Sequence, residues 1–167
     1  MSEDLVVTRE AGVMTLTINR PERRNAISPA VVDTLSQALR DSRRDTSLRV
    51  IVLTAVGDQA FCAGADLATG KSFQFDYAVP RLPMPEMYRL ARDCNVPIVG
   101  RINGTCMAGG MGLLAICDLA IAADHALFGL PEVKVGVYPM QVLSVLDRKS
   151  TRLNSSHVSE SRMPSSA

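Results

Sequence analysis

Apolar and polar positions alternate along Leu5–Arg9 and again along Val13–Ile18, with Glu10-Ala11-Gly12 between them. That period of two predicts a β-hairpin. The stretch RPERRNAIS that follows is a polar loop. Ser28 is placed to cap a helix whose first position is Pro29. Val31, Val32, Leu35 and Leu39 then recur at helical spacing, so roughly residues 29–43 are expected to form an amphipathic helix. Arg49–Thr54 (RVIVLT) is short and nearly continuously apolar, which suits a strand buried on both faces.

Residues 55–70 read as a Gly/Ala-rich loop, and residues 71–83, with Pro80 and Pro83, as an irregular connection. Glu86–Cys94 suits a helix with Met87, Leu90 and Ala91 on one side, ended by Pro97. Ile98–Ile102 is a further strand and Asn103-Gly104 a turn. Residues 107–117 (MAGGMGLLAIC) read as a buried helix with a glycine-rich start, and Leu119–Ala122 as a strand. Helices alternating with strands predict an α/β domain with largely parallel pairing.

The 167 residues suffice for one domain with a core, and 47% hydrophobic residues exclude a disordered chain. A net charge of +1 argues against nucleic-acid binding through bulk charge. Cys62, Cys94, Cys106 and Cys117 form no CxxC pair, and with two histidines there is no zinc spacing, so no metal site is expected. Three of the thiols lie in apolar or Gly/Ala-rich runs, where they act as small hydrophobes. Glu3, Asp4 and Arg9 interrupt any secretory apolar run, and no stretch approaches a membrane span. A cytoplasmic location with no membrane partner is the expectation.

The last 21 residues differ. Residues 147–167 carry seven serines and no periodic apolar face, with four basic and two acidic side chains against fourteen and fifteen in residues 1–146. Such a stretch buries too little surface to offset its ordering entropy. The expected organisation is a core over residues 1–146 and a disordered tail foreign to the fold over 147–167, with a native flexible tail as the alternative.

Two glycine-rich segments follow predicted strands: AFCAGADL (60–67) and AGGMG (108–112). Small residues let backbone approach a ligand closely, and the second segment opens a helix, whose first amides lack intrahelical partners. Two such loops could each aim an N–H at one oxygen, an arrangement in which one donor contributes about 3–4 kcal/mol to a transition state. On glycine content alone, tight helix–strand packing explains them better. The third segment, FGLPEVKVG (128–136), sets Glu132 among Phe128, Leu130, Val133, Val135 and Val137. Burial there would raise its pKa and suit proton transfer. A surface glutamate paired with Lys134 or Arg101 accounts for the residues equally well.

Taken together, RPERRNAIS, AFCAGADL, INGTCMAGGMGLLAICDLAIA and FGLPEVKVGVYP resemble, in order and spacing, the signature segments of the crotonase (enoyl-CoA hydratase/isomerase) family, over residues 5 to about 146. The resemblance implies an α/β crotonase-like spiral of ββα units, the fold shared with ClpP. It implies acyl-CoA substrates, with coenzyme A part of the substrate and no separate cofactor, and an enolate stabilised at the thioester oxygen. The matching oxyanion amides are those of Ala65 and Gly109. Ala63 and Gly64 would hold the adenine or pantetheine portion of CoA, and Arg24 and Ala26 match the family's other CoA-contacting loop. Arg23 or Arg24 could meet a CoA phosphate, though a solvated basic loop fits either one alone. Asp66, Leu67, Gly110 and Pro131 complete the implied substrate-binding set.

The family's second glutamate matches Glu132, which would exchange a proton with C2 of the acyl group. Its first would fall at Gly112, a departure that removes the usual water-activating carboxylate; some short-chain and methylglutaconyl-CoA-type hydratases also show glycine there. Enoyl-CoA hydration, in fatty-acid or branched-chain acyl-CoA metabolism, is therefore the first reading. An isomerase using one glutamate, or a non-catalytic acyl-CoA binder, is the alternative. Family members run on past the Glu132 segment into helices that close the pocket and build a homotrimer or hexamer. The expected fold is thus incomplete at its C-terminus, with apolar surface left exposed and little activity. A ClpP-like serine peptidase is disfavoured because Met111 and Gly112 stand where its serine would be and His125 has no serine partner. AGGMG also lacks the G-x-G-x-x-G spacing of a dinucleotide site.

Overall fold

The computed structural model describes residues 3–66, 82–136 and 138–146. The irregular segment read up to residue 81, Leu67, Val137 and the serine-rich tail lie outside these residues. The hairpin forms as expected: β1 (Leu5–Glu10) and β2 (Val13–Ile18) pair antiparallel with Leu5 opposite Ile18. Its two-residue loop holds Ala11 and Gly12 at φ 48° and 81°, the left-handed pair that matches the twist of the strands.

The helix α1 (Pro29–Ser42) starts where Ser28 Oγ accepts from the Val31 N–H at 3.2 Å. A cap of this kind stabilises by about 1 kcal/mol. Val31, Val32, Leu35 and Leu39 all turn inward. The strand β3 (Val50–Ala55) runs parallel to β2 on one side and to a later strand, Ile98–Ile102, on the other, which explains its continuous apolar run.

Three expectations need correction. The loop read over residues 55–70 contains a short strand, β4 (Ala60–Cys62), buried at all three positions. The helix read over residues 107–117 is shorter. Thr105–Met107 is a strand, Ala108 caps the helix at φ 51°, and only Gly109–Ala115 is helical. Three-residue strands are too short to declare a period, and their pairing with each other is long-range. The helix α2 (Pro83–Arg92) also starts earlier than read, because proline is tolerated at a first helical turn, and it stops before Cys94.

The later elements are β5 (Ile98–Ile102), β6 (Thr105–Met107), α3 (Gly109–Ala115), β7 (Leu119–Ala122) and β8 (Phe128–Gly129), then a 3₁₀ helix at Pro131–Val135 and helical residues 140–146. They complete two sheets, one ordered β1-β2-β3-β5-β7 and one ordered β4-β6-β8. The core lies between the larger sheet and α1 and α2, with Met14, Leu16, Leu35, Leu39, Ile51 and Met87 at its centre. β7 is one of the sheet's two edge strands among the described residues, and its Leu119 and Ile121 are 67% and 72% exposed. No helix of the described residues is long and apolar enough to cross a membrane.

Candidate active site

The first glycine loop is held to the polar loop by a ladder of main-chain bonds. The Ile27 N–H donates to the Gly64 carbonyl at 2.7 Å, Asp66 N–H to Ile27 at 3.0 Å and Ala63 N–H to Arg24 at 3.1 Å. Ala65 thus faces Ile27 in an isolated parallel bridge, with its own N–H on the opposite side of the chain. Gly64 sits at φ 110°, a backbone shape that L side chains rarely adopt.

The second glycine loop meets the first. A Cβ on Gly64 would lie 3.6 Å from the Gly109 nitrogen, and one on Gly109 would lie 3.6 Å from the Ala65 nitrogen. Neither the Ala65 nor the Gly109 N–H donates to another group of the described residues, and Gly109 stands at the start of α3, where a helical N–H has no intrahelical acceptor. Two unpaired amides from separate loops therefore lie within a few ångströms of each other. Ala108, at φ 51°, is held by its N–H to the Gly129 carbonyl at 2.9 Å, so the start of α3 is braced by β8.

The chain runs on from that brace to Glu132. β6 leads into α3, its parallel neighbour β8 leads into the 3₁₀ helix Pro131–Val135, and Glu132 is the second residue of that turn. Glu132 is half-buried, and its Oε2 is enclosed without a hydrogen-bond partner among the described residues. It makes no ion pair with Lys134 or Arg101 among the described residues. Pro131 beside it is exposed.

The other expected residues fall into different settings. Gly110 packs on β4, since a Cβ there would lie 2.6 Å from the Cys62 carbonyl oxygen. Asp66 is joined to Arg20 at 2.7 Å. Arg24 is exposed and left-handed at φ 50°, and Ala26 is buried. His125 lies in a turn, with its Nε2 2.8 Å from the Asp58 carbonyl. All four thiols are free, and burial pushes Cys62 and Cys106 up to about 12.

Three residues of this region escape a reading by sequence. Arg20 donates to the Ala26 carbonyl and to Asp66, both at 2.7 Å. Asn25, at φ 54° and 1% exposed, donates to the Val56 and Ala60 carbonyls and accepts from the Arg20 N–H. Asparagine's tolerance of the left-handed region was the available signal. Tyr88, on α2, is buried with a hydroxyl that has no partner among the described residues, and it fills the space in front of Gly112. Its place beside Met87 on α2 carries no local signal of chemistry.

The enoyl-CoA hydratase/isomerase family model matches residues 8–158, running past residue 147 into the serine-rich stretch. Among solved structures, an enoyl-CoA hydratase/isomerase from Marinobacter aquaeolei is 31% identical with a TM-score of 0.78, over 91% of this chain and 62% of that one. Pseudomonas aeruginosa AtuE is 32% identical with a TM-score of 0.80, over 96% of this chain and 64% of its own. An enoyl-CoA hydratase from Mycobacterium smegmatis is 32% identical with a TM-score of 0.76, over 88% of this chain and 58% of that one. The chain thus spans about three fifths of the length of these structures. It has the crotonase fold and belongs to the enoyl-CoA hydratase/isomerase family.

Proposed function

We propose that the whole protein is an enoyl-CoA hydratase that works through an enolate held by the Ala65 and Gly109 amides, with Glu132 moving the proton at C2. The observation that carries this reading is the pair of unpaired amides brought together by the two glycine loops. Coenzyme A arrives as part of the substrate. Arg24, Ala26, Ala63, Gly64, Asp66, Leu67, Gly110 and Pro131 are the residues proposed to border it. A cytoplasmic homotrimer or hexamer in fatty-acid or branched-chain acyl-CoA metabolism is the setting that goes with it.

Water oxygen bonds to C3 while the C2=C3 pair shifts toward the thioester carbonyl, whose oxygen gains charge and accepts from both amides. Donors fixed before the reaction need no reorganisation, and each contributes about 3–4 kcal/mol. Glu132 delivers a proton to C2, and the proton lost by water replaces it. The product is a 3-hydroxyacyl-CoA.

Gly112 favours a second reading, since it supplies no carboxylate to water. In an isomerase, Glu132 alone would carry one proton between C2 and C4. Crotonyl-CoA in D₂O, given to the full-length protein and to its Glu132→Gln variant, separates the two. Hydration with deuterium at C2, lost by about 10²–10⁴-fold in the variant, is expected. Exchange without hydration would select the isomerase, and binding without either would leave a non-catalytic acyl-CoA binder.

A further inference from the structure

Tyr88 is a buried polar group that the mechanism above does not use. It is 6% exposed, and its hydroxyl has no hydrogen-bond partner among the described residues. Leaving a buried hydroxyl unpaired is destabilising, so a packed core would favour phenylalanine there. Such a cost is typical of a group kept for a ligand.

Its surroundings indicate which ligand. The ring reaches from α2 to α3, where a Cβ on Gly112 would overlap the hydroxyl and lie 2.9 Å from the ring carbon that bears it. Any side chain at position 112 would displace the phenol, so Gly112 and Tyr88 act as a complementary pair. Gly112 lies three residues after Gly109 on the seven-residue α3, and residues three apart share a helix face, about 5–6 Å from one another. The hydroxyl therefore faces the α3 position that lies one helical turn from Gly109. In an enoyl thioester whose carbonyl oxygen sits on those amides, C3 lies two bonds beyond the carbonyl carbon, which spans a comparable distance.

We propose that Tyr88 holds the oxygen that adds to C3, the water in one direction and the 3-hydroxyl of the product in the other. A phenol can both accept and donate, so it can orient a water without taking its proton. Burial, with the neighbouring Cys62 adding to it, pushes the Tyr88 hydroxyl up, which keeps it neutral and unsuited to act as a base. It is a water-positioning residue, and the proton stays with Glu132. The inference rests on the hydratase reading.

Tyr88→Phe in the full-length protein tests it. Removing one oriented hydrogen bond should lower kcat for crotonyl-CoA hydration by about 10–100-fold, within the range for a misplaced reacting group. KM and the shape of the pH profile should stay as in the wild type. C2 deuterium exchange into butyryl-CoA, which needs the amides and Glu132 but no water at C3, should persist. The melting temperature should hold or rise, because an unpaired hydroxyl has been removed. Unchanged hydration in Tyr88→Phe would overturn the role, and so would hydration and exchange falling together, which marks a packing defect. A wild type that does not hydrate would overturn it through the hydratase reading itself, a failure visible before any variant is made.

Discussion

Arg20 and Asp66 are 46 residues apart in the chain and are joined at 2.7 Å. Their side chains are only 13% and 10% exposed. The same guanidinium donates to the Ala26 carbonyl at 2.7 Å and lies 3.2 Å from Asp4. One side chain thus ties the hairpin's approach, the polar loop and the amide-bearing loop together. A hydrogen bond to a charged group contributes about 1.5–3 kcal/mol. Arg20→Ala should therefore lower the unfolding free energy by about 2 kcal/mol in a urea titration. Arg20→Lys should recover only part, because an ammonium cannot serve several acceptors with a planar fork. A loss below about 0.5 kcal/mol, the range of an ordinary surface change, would mean the loops are held by the main-chain ladder alone.

Gly64 is the position where one methyl group should matter most to the amide pair. Its φ of 110° disfavours any L side chain, and a Cβ would lie 2.8 Å from that of Ala108. Gly64→Ala should push the two loops apart. Misplacing an oxyanion donor costs about 10²–10³ in kcat. The full-length variant should lose hydration on that scale while still binding crotonyl-CoA. Activity within about threefold of the wild type would show that the loops do not act as a pair.

The buried thiols predict a pH effect of defined sign. Burial pushes Cys62 and Cys106 up to about 12, whereas an unfolded thiol titrates near 8.5. Above about pH 8.5 the unfolded chain loses those protons while the folded one keeps them, so the unfolded state binds fewer and stability falls as pH rises toward 12. Below about pH 8.5 the two states bind equal numbers and the thiols contribute no slope. Urea midpoints under reducing conditions should decline from pH 8.5 upward, and Cys106→Ala should flatten that decline. An equally steep decline in Cys106→Ala would assign it to other groups.

Local signals carried most of the sequence reading. The hairpin alternation, the Ser28 cap before Pro29 and the apolar run in β3 each act within a few residues, and each forms where expected. The glycine loops were legible as close-approach backbone. β4 and β6 were not, because three-residue strands exist only through pairing with each other and β8. Choosing among arginines was beyond sequence as well. Arg23 and Arg24 stand out in the polar loop, yet both are exposed, while Arg20 makes the bonds. Asn25 looks like a loop residue until its acceptors, 31 and 35 positions away, are in place. Tyr88 belongs to the same class: its meaning depends on Gly112, in a different helix.

The strands of both sheets follow chain order, β1-β2-β3-β5-β7 and β4-β6-β8. No strand has to be inserted between two that are already paired. A ribosome delivers about 5–20 residues per second, N-terminus first, so each sheet can grow by addition at one border while the chain is still being made. The cost of this sequential growth is that the newest strand always presents unpaired backbone to its surroundings. β7 holds that position in the larger sheet, with its own Leu119 and Ile121 bare. Every pause in synthesis at this point exposes the same seam to neighbouring chains.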